Sequence, residues 1–137
     1  MRAVLDTNVL VSAILTLPGP AAKVVRSWIG GAFELIVSPS LLQELQRVLA
    51  YPKIRKRLSA ETALAYVSWL AALGTMTDDP EEPPPIHAPD PADDYLIALA
   101  GFAGAHLVSG DKSLLSLSRR VPVLSVRRFL EMLETIS

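Results

Sequence analysis

Hydrophobic positions in this chain fall in short blocks, and the spacing inside each block predicts its element. Arg2–Leu5 is a brief apolar run ending at Asp6, which predicts a buried strand, and Val9, Leu10 and Val11 carry the apolar pattern onward. Ala21–Ile29 reads as a helix stopped by Gly30-Gly31. Phe33–Val37, rich in β-formers, predicts a second strand. Ser38-Pro39-Ser40 then supplies a cap and a first-turn proline for a helix reaching Leu49, which Tyr51-Pro52 breaks. A further helix is expected over Ala60–Leu73, between the cap Ser59 and the stop Gly74.

Residues 78–91 hold six prolines and read as a loop. Asp90-Pro91 opens an alanine-rich helix that ends near Gly104. His106–Ser109 is an expected strand, Gly110-Asp111-Lys112 a turn, and Ser113–Leu117 a short helix. Val121–Ser125 and Val126–Thr135 close the chain as strand and helix, and no internal repeat is visible. Strands alternating with helices predict an α/β protein whose parallel sheet is covered on both faces. In such sheets ligands bind beyond the carboxyl ends of the strands. Asp6 and Asp111 each follow an expected strand, so both fall on that rim.

Length and composition narrow the class. At 137 residues the chain is expected to form one domain over 1–137, and 50% hydrophobic with 20% charged residues suits a globular core. Cysteine is absent, which excludes disulfides, zinc–thiolate sites and thiol nucleophiles and fits a cytoplasmic location. The N-terminal stretch carries Asp6 within it and does not read as a signal peptide. No run of 18 apolar residues occurs, so no membrane span is expected.

The net charge of −1 conceals a division: residues 78–94 contain seven acids and no Lys or Arg, which leaves +6 on the remainder. Arg47, Lys53, Arg55, Lys56 and Arg57 form one basic block, and Arg119, Arg120, Arg127 and Arg128 another. Such blocks are either solvated faces or the footprint of a polyanion.

Four acids stand out. Asp6 sits where apolar residues continue on both sides, and an ionised group there needs a partner. Glu44 borders the apolar stripe Leu41, Leu42, Leu45, Val48 and Leu49. Asp90 and Asp93 are explained by helix capping and the helix dipole, whereas Asp94 lies one residue deeper on a helix that is small or apolar nearly all round. Asp111 is either a turn residue or a rim ligand. Close carboxylates repel unless a cation intervenes, and an all-oxygen set suits Mg²⁺ or Mn²⁺. His87 and His106 lack ligand spacing and read as structural.

The run V-L-D-T-N-V-L-V-S-A, the helical Glu44, D-P-A-D-D-Y-L-I-A-L-A and L-V-S-G-D-K-S-L-L together resemble the PIN-domain nucleases, and within them the VapC-like toxin components of toxin–antitoxin pairs. The resemblance spans nearly the whole chain. It implies a three-layer α/β/α fold and cleavage of RNA by a water activated on one or two Mg²⁺ or Mn²⁺ ions. It places the catalytic and metal-binding acids on Asp6, Glu44, Asp94 and Asp111. The Asp93-Asp94 pair leaves the register open by one, and the spacing to Leu96, Ile97 and Ala98 favours Asp94. Asn8 and Ser109 resemble the polar positions that support the acids. Arg47, Lys53, Arg55, Lys56, Arg57 and Lys112 are then expected to hold the RNA backbone, and the family habit implies a homodimer with a cognate antitoxin. The loop over 78–89 departs from the family pattern, so no role is carried onto it. With eight aromatics, of which Trp28, Tyr66 and Trp69 are expected in the core, no base-reading surface is legible.

Two other readings compete. A haloacid-dehalogenase-like phosphatase also places an Asp after its first strand, but it needs a second Asp at position 8, which is Asn here. A regulatory RNA- or protein-binding module with vestigial acids would not require all four to be present.

Overall fold

The protein is described by a computed structural model covering residues 1–136. The first strand, β1 (Arg2–Leu5), is followed directly by helix α1 (Thr7–Leu15) and then α2 (Pro20–Ile29). Strand β2 (Glu34–Val37) leads into α3 (Pro39–Leu49), the single turn α4 (Pro52–Arg55) and α5 (Ala60–Leu73), which ends at β3 (Thr75–Met76). After the proline-rich loop, a 3₁₀ turn over Pro91–Asp93 runs into α6 (Asp94–Ala103). Strand β4 (His106–Val108), the turn α7 (Lys112–Leu115), β5 (Val123–Leu124) and α8 (Val126–Ile136) complete the chain.

All five strands pair in parallel in the order β3-β2-β1-β4-β5. Helices cover both faces of the sheet, giving the three-layer α/β/α architecture. Ala3, Val4 and Leu5 of β1 are wholly buried because the central strand of such a sheet has no solvent face. Helix α6 packs on β1 and β4, while α1 contacts α2 and α3, α3 contacts α5, and α8 lies on α2. Phe33 and Phe129 meet edge to face with centroids 5.0 Å apart, tying the entry to β2 to α8.

Three elements lie outside the sequence expectations: α1, α4 and β3. The sequence reading assigns no element to Thr7-Asn8-Val9-Leu10-Val11, which includes the β-branched Thr7, Val9 and Val11; it forms the start of a helix buried at Thr7, Val9, Leu10, Val11 and Ala13. β3 and β5 are two residues each, too short for periodicity to reveal, and β5 is narrower than the expected Val121–Ser125. Trp28 is buried as expected and Tyr66 donates its hydroxyl to Leu10 O at 2.7 Å, but Trp69, stacked beside Tyr66, is 36% exposed.

The topology fixes where a site belongs. From β1 the chain moves to β2 on one side, and from β4 it moves to β5 on the other. The carboxyl ends of β1 and β4 therefore border the crevice at which the strand order reverses. The proline-rich loop crosses the same rim, pinned at both ends. Asp79 Oδ2 accepts from Ser40 N at the start of α3 at 3.0 Å, and Ala88 N donates to Asp94 Oδ1 at 2.7 Å.

Candidate active site

At the end of β1, Asp6 N donates to Val108 O at 2.9 Å, which locks the turn into α1 against the end of β4. Asp6 occupies the N-cap position of α1 but makes no capping bond with its side chain. Its Oδ2 instead accepts from Ser109 Oγ at 2.7 Å and from Asn8 Nδ2 at 3.4 Å. Asn8 Oδ1 in turn accepts from Gly110 N at 3.3 Å, so one amide bridges the two rim loops. Asp6 is 7% exposed, and burial raises its carboxyl above the ordinary value, against the stabilising bond from Ser109 and with the charges of Asp111 and Glu44.

Asp6, Glu44, Asp93 and Asp111 line a groove of about 410 Å³ together with Thr7, Asn8 and Arg57. A smaller recess of about 180 Å³ continues past Asp6, Glu44 and Asp93 to Arg47 and Tyr95. Asp93 carries the greatest electrostatic load. Burial, followed by the charges of Asp6, Asp90, Asp111 and Glu44, pushes its carboxyl up to about 6.

The structure places the two neighbouring acids differently. Asp94 does not line the groove. Its Oδ1 accepts from Ala88 N, and its Oδ2 lies 2.8 Å from His87 Nδ1, so both oxygens face the proline-rich loop. These contacts hold the Asp94 carboxyl below its ordinary value, the His87 bond first and the Ala88 bond second. The residue the sequence spacing disfavoured, Asp93, is the one that joins the other acids. The 3₁₀ turn explains the difference. Asp90 Oδ1 caps it by accepting from Ala92 N at 3.0 Å, and the tighter winding rotates position 93 onto the rim before α6 begins.

The other acids have double duties. Glu44 accepts from Arg47 Nη2 at 2.6 Å and from Arg47 Nε at 3.0 Å, a bidentate pair on one helix turn. Asp111 Oδ1 caps α7, accepting from Ser113 N at 2.9 Å and Ser113 Oγ at 2.8 Å. Tyr95, which the sequence reading passed over, lies beside Asp6, Glu44 and Asp93, and burial raises its phenol. Its only sequence signal was its place next to the acid pair.

The expected RNA-binding residues scatter. Arg57 lines the acidic groove, its Nη2 donating to Leu15 O at 2.9 Å, and Arg47 lines the recess. Lys53, Lys56 and Lys112 are exposed on the surface. Arg55 instead turns partly inward, with Nη1 out of reach of solvent.

The donor set suits a hard divalent cation: every candidate atom is oxygen, and carboxylates that raise one another's affinity for protons gain from an added positive charge. Among the described residues no three acids converge as a ready ligand group, so the fit is one of donor type and charge along a groove.

Comparison with known proteins fixes the class. The PIN domain family matches residues 2–113, and the chain belongs to that family. An uncharacterized protein of Methanocaldococcus jannaschii is 27% identical over 117 residues, covering 85% of this chain and 75% of that protein. In fold the chain is similar to VapBC2 from Rickettsia felis, bound there to a DNA fragment from its promoter. The TM-score is 0.64 at 16% identity, over 91% of this chain and 98% of that one. FitAcB from Neisseria gonorrhoeae is similar at a TM-score of 0.56 and 18% identity, with coverage of 91% and 98%. Family membership removes the phosphatase alternative.

Proposed function

We propose that this PIN domain is a metal-dependent endoribonuclease and acts as the toxin of a toxin–antitoxin pair. The observation that carries the reading is the groove lined by Asp6, Glu44, Asp93 and Asp111, where burial and the charges of the other acids raise the Asp93 carboxyl to about 6. Asp6 and Asp93 would be the principal ligands of Mg²⁺ or Mn²⁺, with Glu44 and Asp111 beside them. When bound, the ion supplies an acidified water and charge neutralisation at a phosphodiester.

The protein's own residues do the positioning. Ser109 and Asn8 fix the orientation of the Asp6 carboxylate, as supporting bonds do for metal ligands. Arg47 holds Glu44 by both oxygens and keeps that side chain from wandering. Arg57 puts a cation on the groove edge, where a phosphate following the acids would pass. The toxin role is supported by the family and by the fold shared with VapBC2 and FitAcB. It leads to the expectation of a homodimer, a cytoplasmic location and a small antitoxin reading frame next to the gene.

The test is cleavage of a mixed cellular RNA pool with Mn²⁺, beside lanes with EDTA, Asp93→Asn and Asp94→Asn. Discrete fragments lost with EDTA and with Asp93→Asn, but retained with Asp94→Asn, are expected. Cleavage that survives EDTA or Asp93→Asn overturns the reading. If no RNA is cut and calorimetry detects no bound metal, the protein is a binding module with vestigial acids.

A further inference from the structure

Helix α5 is apolar both on the side that meets the protein and on the side that does not. Ala63, Val67 and Leu70 are buried, and α3 packs against the helix. Yet Leu64, Trp69 and Leu73 are 60%, 36% and 56% exposed, with Ala65, Ser68 and Ala72 exposed among them. From Thr62 to Thr77 the chain holds no Asp, Glu, Lys, Arg or His. The outer face of α3, by contrast, carries Gln43, Gln46 and Arg47, and that of α8 carries Arg127, Arg128 and Glu131. Single apolar residues on a surface need no partner, but a continuous uncharged face marks a docking surface.

The order of residues on this face points to its occupant. The outward positions run Leu64, Ala65, Ser68, Trp69, Ala72, Leu73, and apart from the central pair this pattern is its own reverse about a point between Ser68 and Trp69. We infer that the outer face of α5 docks antiparallel on the same face of a second copy of this chain, with the two-fold axis between Ser68 and Trp69. That symmetry sets Leu64 level with Leu73 of the second copy, Ala65 with its Ala72, and the small Ser68 with the large Trp69. The rows Leu64-Ser68-Ala72 and Ala65-Trp69-Leu73 each step by four residues and leave a groove between them, the geometry in which helices most often cross. Trp69 meets Trp28 edge to face with centroids 5.2 Å apart and stacks on Tyr66, so the bulkiest side chain is held in place before association. A face without charge meets its own image without repulsion, and it offers nothing to the phosphates of a nucleic acid. The contact gives the expected homodimer a named face. It does not rest on the nuclease chemistry, since none of these residues lines the acidic groove.

Analytical ultracentrifugation of the full-length protein over a range of concentrations tests the contact, beside the variants Ala65→Glu and Ala72→Lys. The wild type is expected to sediment at twice the mass of one chain. Each variant alone should raise the dimer Kd about 100-fold, because it leaves a charge unpaired in the contact. Both positions are exposed and both introduced residues are good helix formers, so the circular dichroism of each variant should match that of the wild type. Mixed in equal amounts, the two variants should associate again to within about tenfold of the wild-type Kd, since the acid on one copy then meets the amine on the other. A monomeric wild type, a dimer indifferent to Ala65→Glu, or variants that fail to associate when mixed would each overturn the inference. A monomer that still cleaves RNA would sink this contact alone, whereas a dimer without metal-dependent cleavage would sink the nuclease reading alone.

Discussion

At Asp93 the carboxyl group is half-buried, and ionisation there is opposed first by that burial and then by the negative charges of Asp6, Asp90, Asp111 and Glu44. At Asp94 the next carboxyl group is met by a histidine and a backbone N–H, so ionisation is favoured. The two residues therefore answer differently to the same substitution. Asp93→Asn is expected to lower metal-dependent cleavage by more than the about 10–100-fold typical of supporting residues, and to leave folding intact or improved. Asp94→Asn keeps the side-chain oxygen that accepts from Ala88 and should retain most activity while loosening the proline-rich loop. Limited proteolysis of that loop, beside the cleavage assay, separates the two effects. Ser109→Ala removes the 2.7 Å bond to Asp6 from a fully buried position and should cost about 10–100-fold in activity or metal affinity, measured by titration of Mn²⁺.

Helix α3 shows how an element is held from outside its own sequence. Ser38 Oγ accepts from Leu41 N at 3.3 Å, as the sequence predicts for a cap, and Asp79 satisfies Ser40 N from 39 residues away. Two of the helix's open N–H groups are thus closed by different segments. Ser38→Ala should destabilise the protein by about 1–2 kcal/mol in urea unfolding. Asp79→Ala should cost about 1 kcal/mol and also release the start of the proline-rich loop. That loop, acidic and without a legible role in sequence, is in this respect part of the architecture of α3 and α6. At the far end of α5 the constraint is space. A Cβ at Gly74 would lie 2.7 Å from Leu70 O and 3.1 Å and 3.2 Å from the two Val37 methyl groups. Gly74→Ala should therefore cost about 1–3 kcal/mol by overpacking the α5–β2 junction, read in the same unfolding experiment.

Across the molecule, the perturbed carboxyls set opposing pH dependences. Asp6 and Asp93 have folded-state values above the ordinary 3.8, so their contribution to stability is complete below that value. For Asp93 it is lost as pH rises through about 6. Asp94 and Glu34 are lowered, so theirs is present above the ordinary carboxylate range and lost as pH falls through it. The metal-free protein is accordingly expected to have its highest Tm at mildly acidic pH. With EDTA, Tm should be higher near pH 5 than near pH 8. Mn²⁺ should raise the value at the higher pH by mass action, and Asp93→Asn should shrink both differences. Thermal unfolding followed by circular dichroism checks all three.

Most of the scaffold follows from local patterns along the chain. Strands β1, β2 and β4, the long helices α2, α3, α5 and α6, and the placement of Asp6 and Asp111 on one rim follow from runs, caps and stops that act over a few residues. The sequence did not reveal α1, whose β-branched residues suit either state and which the fold packs against α2 and α3. Nor could it choose between Asp93 and Asp94. Helical spacing assumes a regular first turn, and this one is 3₁₀, fixed by Asp90 below and by the bonds of Ala88 and His87 to Asp94 above. The fate of Arg55 was equally hidden within a basic block, since burial of one guanidinium among five similar charges depends on how α3 and α5 meet. Local chemistry names the candidate groups, but which way each one faces is decided by contacts between segments distant in sequence.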